Sequence, residues 1–498
     1  MNLAARLLSG PRADLEPAGQ ERVVLRSPTA TLTAAALAAR AASVAGAIAA
    51  AVEPDARVAI LADNDEHFVV AYLGILSAGR VAVPLNPQSP DSDLARKLDA
   101  VGASLLVTGP GRDGVAVPVP VTPIEALETL DAAPITPVAR ETDDLAVLLF
   151  TSGTAGMPKA AMLTHGCLAA NLDQVQSTPG LALRADDIGL AVLPFFHVFG
   201  LNVVLGLALA SGGCIVCVPH FDPAATLATI RDERVTVVAG VPAMYRAWLD
   251  LADAPADAFA GVRLAVSGAA AIGRETLAEM QQRFGVEVHE GYGLTEASPI
   301  VTTSAVDAAV RPGSIGPPLP GVEIRLVDRD GDDALDGDPG EIWVRGANVF
   351  AGYWQDPETS ERVLAGGWLH TGDIAVADHD GWLTLVDRSK DLIIVSGFNV
   401  YPGEVETALV EHESVVDAAV IGESDPRSGE KVVAFVVAAP GASPTPTILT
   451  AHLRRRLARY KIPQRFEVVD ELPHTFAGKV LRRELREAAR PAAVQKPA

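Results

Sequence analysis

The sequence predicts an α/β protein: a large layered α/β N-terminal domain carrying a small β-barrel-like subdomain, then a small mobile α+β C-terminal domain. Three observations predict it. Up to about residue 390, apolar strand-like runs alternate with Ala/Leu-rich helical stretches. From Gly313 to Leu385 short strands punctuated by Gly, Pro and Asp replace that alternation. After Lys390 a third pattern begins, with strands, a Pro/Gly/Ser/Thr loop and a basic helix. At 498 residues the chain exceeds one ordinary core, so more than one domain is expected. The boundaries read as 1–389, with the β-rich subdomain at about 313–387, and 390–498.

Taken in order, the N-terminal MNLAARLLSGPRADLEP is poor in hydrophobic residues and reaches acidic ones early, so it does not read as a signal peptide. Thr31–Val52 is Ala-rich, contains Arg40 and reads as an amphipathic surface helix. RVAILA (57–62), SLLVTG (104–109), LAVLLFT (145–151), CIVCVP (214–219), VTVVAG (235–240) and VRLAVSG (262–268) read as strands of largely buried sheets. Leu201–Val218 is the one stretch long enough to suggest a membrane span. Ser211-Gly212-Gly213 interrupts it, so a core helix followed by a buried strand is expected, and no transmembrane segment. VEIRLVD, GEIWVRG and WLTLVD supply the short strands of the β-rich part. Between them, Asp328–Asp332 resembles a calcium loop, but Asp333 stands where such a loop needs glycine and no glutamate closes it. A hairpin turn is expected there. Strands at Val415–Gly422 and Lys431–Val437, and a basic helix AHLRRRLARY, complete the C-terminal domain.

Composition excludes several function classes. Hydrophobic residues make up 49% and charged residues 20%, the balance of a globular protein. A net charge of −22 opposes general nucleic-acid binding, because phosphate backbones select basic surfaces. Three cysteines are too few for a disulfide scaffold; Cys214 and Cys217, inside an apolar run, read as buried strand thiols. A cytoplasmic enzyme is expected. Only seven of the 40 basic residues are lysines, which makes each Lys more informative.

Five segments carry chemistry. Thr151-Ser152-Gly153-Thr154-Ala155-Gly156-Met157-Pro158-Lys159 follows a strand. Its glycines permit tight turns, its hydroxyls and N–H groups can surround phosphate oxygens, and Lys159 adds a cation. The spacing is not that of a Walker loop. Gly291-Tyr292-Gly293-Leu294-Thr295-Glu296 offers an aromatic face between open glycines, a hydroxyl and a hard oxygen ligand for Mg2+. Trp368–Asp373 ends in a carboxylate able to accept two ribose hydroxyls, and Asp387-Arg388-Ser389-Lys390-Asp391 is a dense charge run. Leu472–Lys479 places a lone lysine on a Pro- and Gly-bounded loop. Each alone has an ordinary structural explanation.

In this order, over more than 300 residues, the five resemble the adenylate-forming superfamily of acyl-CoA synthetases, peptide-synthetase adenylation domains and luciferases, and most closely its fatty-acyl-CoA synthetases. The resemblance spans about Thr31 to Arg486. It implies ATP, Mg2+ and coenzyme A as cosubstrates and cofactors. Thr151, Ser152, Gly153, Thr154 and Lys159 would hold the β- and γ-phosphates. Ala155 departs from the usual Thr or Ser there and removes one hydroxyl contact. Gly291, Tyr292 and Gly293 would frame adenine, Thr295 touch the α-phosphate, Glu296 hold Mg2+, and Asp373 and Arg388 fix the ribose. Lys479 would reach the substrate carboxylate and the α-phosphate. The C-terminal domain would then rotate about Lys390, withdrawing Lys479 and bringing in Ser396, Gly397 and Phe398 beside the pantetheine arm.

Pro194–Gly200 matches the family's motif at the acyl pocket, with His197 as a pocket-lining or gating residue. Val241, Ser267, Gly268, Ala269, Ala270, Ala271 and Gly291 make the remaining wall small or apolar. That favours a medium- or long-chain fatty acid, with an aryl acid as close rival. Amino acids are disfavoured because no Asp stands near the motif. A dicarboxylate is disfavoured because a buried unpaired charge is costly, with Arg246 as the residue that keeps malonate in view. Other readings are a ligase that loads a carrier-protein thiol, a luciferase-like oxygenase and a non-catalytic nucleotide-binding module. The expected partners are a small carboxylic acid, ATP and CoA, with peripheral membrane contact allowed, and a monomer or homodimer.

Overall fold

The architecture comes from a computed structural model that describes residues 1–9, 21–112, 114–151, 159–306, 311–328, 330–388, 391, 393–395, 398–425, 429–474 and 480–488. The first strands are β1 (Val23–Arg26), β2 (Thr31–Thr33), β3 (Arg57–Leu61), β4 (Val81–Pro84), β5 (Leu105–Thr108) and β6 (Val121–Pro123). They continue with β7 (Leu145–Thr151), β8 (Lys159–Thr164), β9 (Ile188–Ala191), β10 (Cys214–Cys217), β11 (Val237–Gly240) and β12 (Leu264–Ser267). Next come β13 (Val288–Gly293), β14 (Ile300–Thr303), β15 (Val322–Val327), β16 (Gly340–Gly346), β17 (Leu369–Ala377) and β18 (Leu383–Arg388). The last are β19 (Ile393–Val395), β20 (Phe398–Val400), β21 (Val415–Asp425), β22 (Gly429–Ala438) and β23 (Arg465–Val469).

Among the described residues these strands form four sheets. One has the order β6-β5-β3-β4-β7-β8 and another β14-β13-β12-β11-β9-β10-β1-β2. Both are parallel internally and closed by an antiparallel edge, β7 with β8, β13 with β14 and β1 with β2. Parallel neighbours need crossover helices, and the Ala/Leu-rich stretches supply them: Glu66–Ser77, Asp91–Val101, Pro223–Asp232, Pro242–Asp250 and Arg274–Phe284. Their ends carry the expected punctuation. Asp65 and Asp222 cap two N-termini through their side chains, and Gly102 and Gly285 end two helices in the left-handed conformation. The fold class is the one read from the sequence. The C-x-x-C thiols are free and buried on β10.

The chain divides into two compact units, one of Met1–Ile324 with Val344–Leu369, the other of Arg325–Trp343 with His370–Ala498. A four-stranded sheet, β15-β16-β17-β18, accounts for the β-rich segment. Asp328 closes the turn after β15, its Oδ1 accepting from the amides of Asp330 (2.9 Å) and Asp332 (3.0 Å). In the C-terminal sheet β20-β19-β22-β21, with β23 on β22, successive residues alternate between two cores. Ala418, Val420, Val432 and Ala434 face Val405, Leu409, Leu449 and Leu453. Ala419, Ile421, Val433 and Phe435 face Leu472 and Leu485.

Three expectations need correction. Thr31–Val52 is not all helix: Thr31–Thr33 is strand β2, and the helix Ala34–Ala51 is amphipathic, burying Leu37, Ala41, Val44, Ala45, Gly46, Ala47 and Ile48 while Ala35, Ala39 and Ala50 stay exposed. Its neighbour Gly74 explains the close fit, since a Cβ there would lie 2.6 Å from a Val44 methyl. Among the described residues Ala34–Ala51, not Leu201–Val218, is the helix long and apolar enough to cross a bilayer. Leu201–Val218 itself is as expected, the end of a helix stopped by left-handed Gly212 and then buried β10. The basic helix ends at Leu453, which is fully buried, and Arg454–Arg456 lie in the turn beyond it.

His165 opens the helix His165–Gln176, and its Nδ1 accepts from the Leu3 amide at 3.1 Å. Burial, helped by the Arg140 guanidinium, pulls its pKa down to about 4 from the usual 6.5. The neutral ring is therefore the folded form, while the unfolded chain binds a proton below pH 6.5. Stability present above that pH is lost as pH falls toward 4, at up to about 1.4 kcal/mol per pH unit. Urea unfolding across this window should show the loss, and His165→Asn, which keeps an acceptor for Leu3, should flatten it. A parallel decline in both proteins would remove His165 as the cause.

Candidate active site

Four adjacent strands, β13, β12, β11 and β9, point their C-terminal ends the same way. In open parallel sheets that edge is where ligands bind. Off these ends run Pro194–Gly200, Val241, Ser267–Ala271 and Gly291–Glu296. The fold therefore brings the expected pocket residues His197, Val241, Ser267, Gly268, Ala269 and Ala270 to one place, beside Gly291. Val241 and Ser267 are buried, while Ala269 is exposed and takes a left-handed backbone, φ 69°. His197 is exposed to solvent, and desolvation by the protein packed around it holds its imidazole below the usual pKa.

Sequence reasoning missed what holds this edge together. Buried Asn64, just beyond β3, donates to the carbonyls of Ala191 (3.2 Å) and Leu193 (2.7 Å) and accepts from the Phe195 amide at 2.9 Å. It pins the loop that carries His197. The segment after His197, Phe199–Gly206, is π-helical, a form that concentrates at functional sites. Within it Asn202 donates to the Ser298 carbonyl at 2.8 Å, beside the Thr295–Glu296 turn. Phe199 lies against Gly268: a Cβ there would meet its ring at 3.1 and 3.3 Å. Glu290, also buried, accepts from the Gly313 amide at 3.0 Å and from the Ile272 amide, fixing the end of the small-residue wall. Burial pushes its carboxyl pKa up despite those bonds. Lone Asn and Glu residues carry no sequence signal for such roles.

At the open end of the β7–β8 pair, Thr151 and Lys159 face each other across the two strands. The Lys159 ammonium donates to Asp356 Oδ2 at 2.7 Å and Thr359 Oγ1 at 2.6 Å, and stands 5.4 Å from the Tyr353 ring centroid. The Tyr353 hydroxyl donates to Glu296 Oε1 at 2.6 Å. Burial and the Glu296 carboxylate push the Tyr353 phenol pKa up, so it stays a donor. Lys159 and Glu296 thus belong to one network. Gly293 has no room for a side chain, because a Cβ would lie 2.2 Å from the Pro299 carbonyl oxygen. Tyr292 is buried at 7% exposure, and Thr295 opens the short turn Thr295–Ala297.

In the second unit, Asp373 and Arg388 are backbone partners in the register of β17 and β18. Asp373 is buried, and its amide donates to Thr371 Oγ1 at 3.1 Å. Phe398 pairs with Val395 on β20. Ser152, Gly153, Thr154, Ala155, Lys390, Ser396, Gly397 and Lys479 lie outside the described residues.

Arg246 is engaged with Asp250 (2.8 Å) and Glu279 (2.9 Å) on the outer side of its helix. A second carboxylate on a substrate would have to displace both. The Asp65–Glu66–His67 cluster has the makings of a metal site, but its groups have structural duties. Asp65 caps a helix, and Glu66 accepts from Ser27 and Thr29. Glu296 suits Mg2+ better: it is a half-buried hard oxygen donor with Oε1 oriented by Tyr353 and Oε2 left over.

The family model of AMP-binding enzymes matches residues 15–354, and that of the AMP-binding enzyme C-terminal domain matches 404–479. A feruloyl-CoA synthase of Amycolatopsis sp is 38% identical over 485 residues, covering 95% of this chain and 97% of its own. A long-chain-fatty-acid–CoA ligase of Escherichia coli O157:H7 is 35% identical over 481 residues, 87% of this chain and 85% of its own. Among solved structures, ATP-bound MatB from Rhodopseudomonas palustris superposes with a TM-score of 0.91 at 33% identity, over 98% of each chain.

Proposed function

The chain belongs to the AMP-binding enzyme family, and from that premise we propose that it is an AMP-forming acid–CoA ligase acting on an apolar monocarboxylic acid. The observation that carries the reading is the Lys159–Tyr353–Glu296 network, which joins the start of β8 in one sheet to the turn after β13 in the other, next to the small residues that follow β12. The substrate carboxylate attacks the α-phosphorus of ATP, the new P–O bond forms, and pyrophosphate leaves. Two anions meet in that step, so cations and donors at the bridging oxygens lower its barrier. Bound at Glu296, Mg2+ supplies charge neutralisation to the triphosphate. Lys159 and the Thr151–Thr154 loop hold the β- and γ-phosphates, and Lys479 serves the carboxylate and α-phosphate. Tyr292 stacks on adenine, while Asp373 and Arg388 take the ribose. In the second step the CoA thiolate attacks the acyl carbonyl and AMP departs. The domain from 390 onward turns about Lys390, and Gly397 leaves space for pantetheine.

A medium- or long-chain fatty acid is the leading acid, supported by the small residues from Ser267 to Ala270. A planar aryl acid is the second reading. It is favoured by the Phe199 ring lying across Gly268 and by the 38% identity to a feruloyl-CoA synthase. A dicarboxylate is set aside, because Arg246 is already paired.

CoA-dependent AMP release, screened over fatty acids of increasing length with benzoate, cinnamate, ferulate and malonate, tests the reading. One apolar series should turn over and malonate should not. No AMP release with any acid would end the ligase reading. Adenylation without CoA-dependent turnover would move the acceptor to a carrier-protein thiol.

A further inference from the structure

We propose that the segment Tyr353–Thr359 is a positioning bracket for the triphosphate site, in which Asp356 and Thr359 aim the Lys159 ammonium and Tyr353 aims the Glu296 carboxylate. The proposal rests on the ligase reading, since it takes Lys159 and Glu296 as the groups that meet phosphate and Mg2+. Its basis is geometric. An ammonium has three donors; Asp356 and Thr359 take two, at 2.7 and 2.6 Å, leaving one for a phosphate oxygen. A lysine stem that would otherwise sample many rotamers is thereby held in one. Glu296 is treated alike: Oε1 is occupied by the Tyr353 hydroxyl at 2.6 Å, which orients Oε2. Partners that orient a metal ligand in this way commonly matter to metal affinity as much as packing does.

The bracket is itself rigidly mounted. Its base pairs with β8, the strand that begins at Lys159. The Ala351 amide donates to the Met162 carbonyl (3.0 Å), the Met162 amide to Gly352 (2.9 Å) and the Trp354 amide to Ala160 (2.8 Å). The Phe350 amide donates to the Glu296 carbonyl at 2.9 Å, and the Phe350 ring meets Tyr353 edge-on at 5.0 Å. Lys159 and Glu296, 137 residues apart in sequence, are thus registered through one short segment. Lys159 holds the Asp356 carboxyl at about 2, so that carboxylate stays ionised at neutral pH.

Asp356 has a second duty, and it makes the test clean. Its Oδ1 accepts from the Thr359 amide at 3.1 Å, capping the helix Pro357–Val363. Asparagine caps as well as aspartate but carries no charge, so Asp356→Asn removes the ion pair and keeps the cap. Thr359→Val removes the other acceptor and leaves the cap donor in place. Calorimetric titration of the full chain with a β,γ-imido ATP analogue and Mg2+, without acid, reads the result. Asp356→Asn should bind the analogue roughly tenfold more weakly, and Thr359→Val more weakly by a smaller factor, with melting temperatures unchanged. Tyr353→Phe should raise the Mg2+ concentration needed for half-maximal binding by about tenfold. Unchanged or tighter binding by Asp356→Asn, or an unchanged Mg2+ midpoint in Tyr353→Phe, overturns the bracket and leaves the ligase reading intact. A wild-type chain that does not bind the analogue overturns both.

Discussion

Replacing Lys479 with alanine should cut adenylation by roughly 10²- to 10³-fold, while thioester formation from supplied acyl-AMP and CoA stays near the wild-type rate. The split follows from the charges in the two steps. In the first, a carboxylate approaches an already anionic α-phosphate, and a cation bridging both is worth most as the new bond forms. In the second, the adenylate is made, AMP is the leaving group, and the entering thiolate needs the space a lysine would fill. A lysine in a stretch of sequence bounded by Pro473 and Gly478 suits a group that must arrive and withdraw. Pyrophosphate release with hydroxamate trapping measures the first step; thioester formation from synthetic acyl-AMP measures the second. Equal loss of both would contradict a lysine that leaves before the thiol enters. Lys479→Arg should not restore the first step fully, because the planar guanidinium cannot mimic a point charge between two oxyanions.

How much of this was legible depended on the range over which each signal acts. Strands such as Leu145–Thr151 and Cys214–Cys217 were plain because parallel strands buried on both faces read as continuous apolar runs. The glycine-flanked Tyr292 and the Thr151–Lys159 loop were visible because their residues are neighbours in the chain. The start of the helix Ala34–Ala51 was misplaced because Thr31–Thr33 is a strand too short to announce itself, and alanine counts as apolar without saying which face it covers. Only Gly74 and Val44 meeting in space reveal a packed helix. The basic stretch at Arg454–Arg456 looked helical through composition, but three successive arginines have no apolar side to bury, and the chain turns there before Leu457 and Tyr460 return to the core. The network around Lys159 was invisible for a simpler reason: Asp356 is 197 residues away in sequence and Tyr353 is 57 beyond Glu296. Asn64 reaches Phe195 over 131 residues in the same way. Motifs report the groups that touch ligands, while the residues that aim those groups are found only in three dimensions.

Gly268→Leu is the change expected to alter acid selection most. Gly268 begins the wall that follows β12, and even a Cβ there would sit 3.1 Å from the Phe199 ring. Gly268 is not among the glycines held at positive φ, so leucine can adopt its backbone and the consequence falls on the space in front of it. The new side chain must displace Phe199 or fill the cleft. Each methylene of misfit in an apolar pocket is worth about 10-fold or more in kcat/KM, so acids reaching past Gly268 should lose roughly 10²-fold. Short acids that stop before the wall should lose far less, and the KM for ATP should hold, since Lys159 and Glu296 are untouched. Phe199→Ala should act in the opposite sense, relaxing the limit on chain length while weakening the hold on flat rings. Measured as CoA-dependent AMP release, the two variants separate the candidate acids. If fatty acids are the substrates, Phe199→Ala preserves or extends activity. If aryl acids are, it removes the face they pack against. A uniform fall across all acids and ATP in Gly268→Leu would mean that Gly268 supports the fold and does not line the pocket.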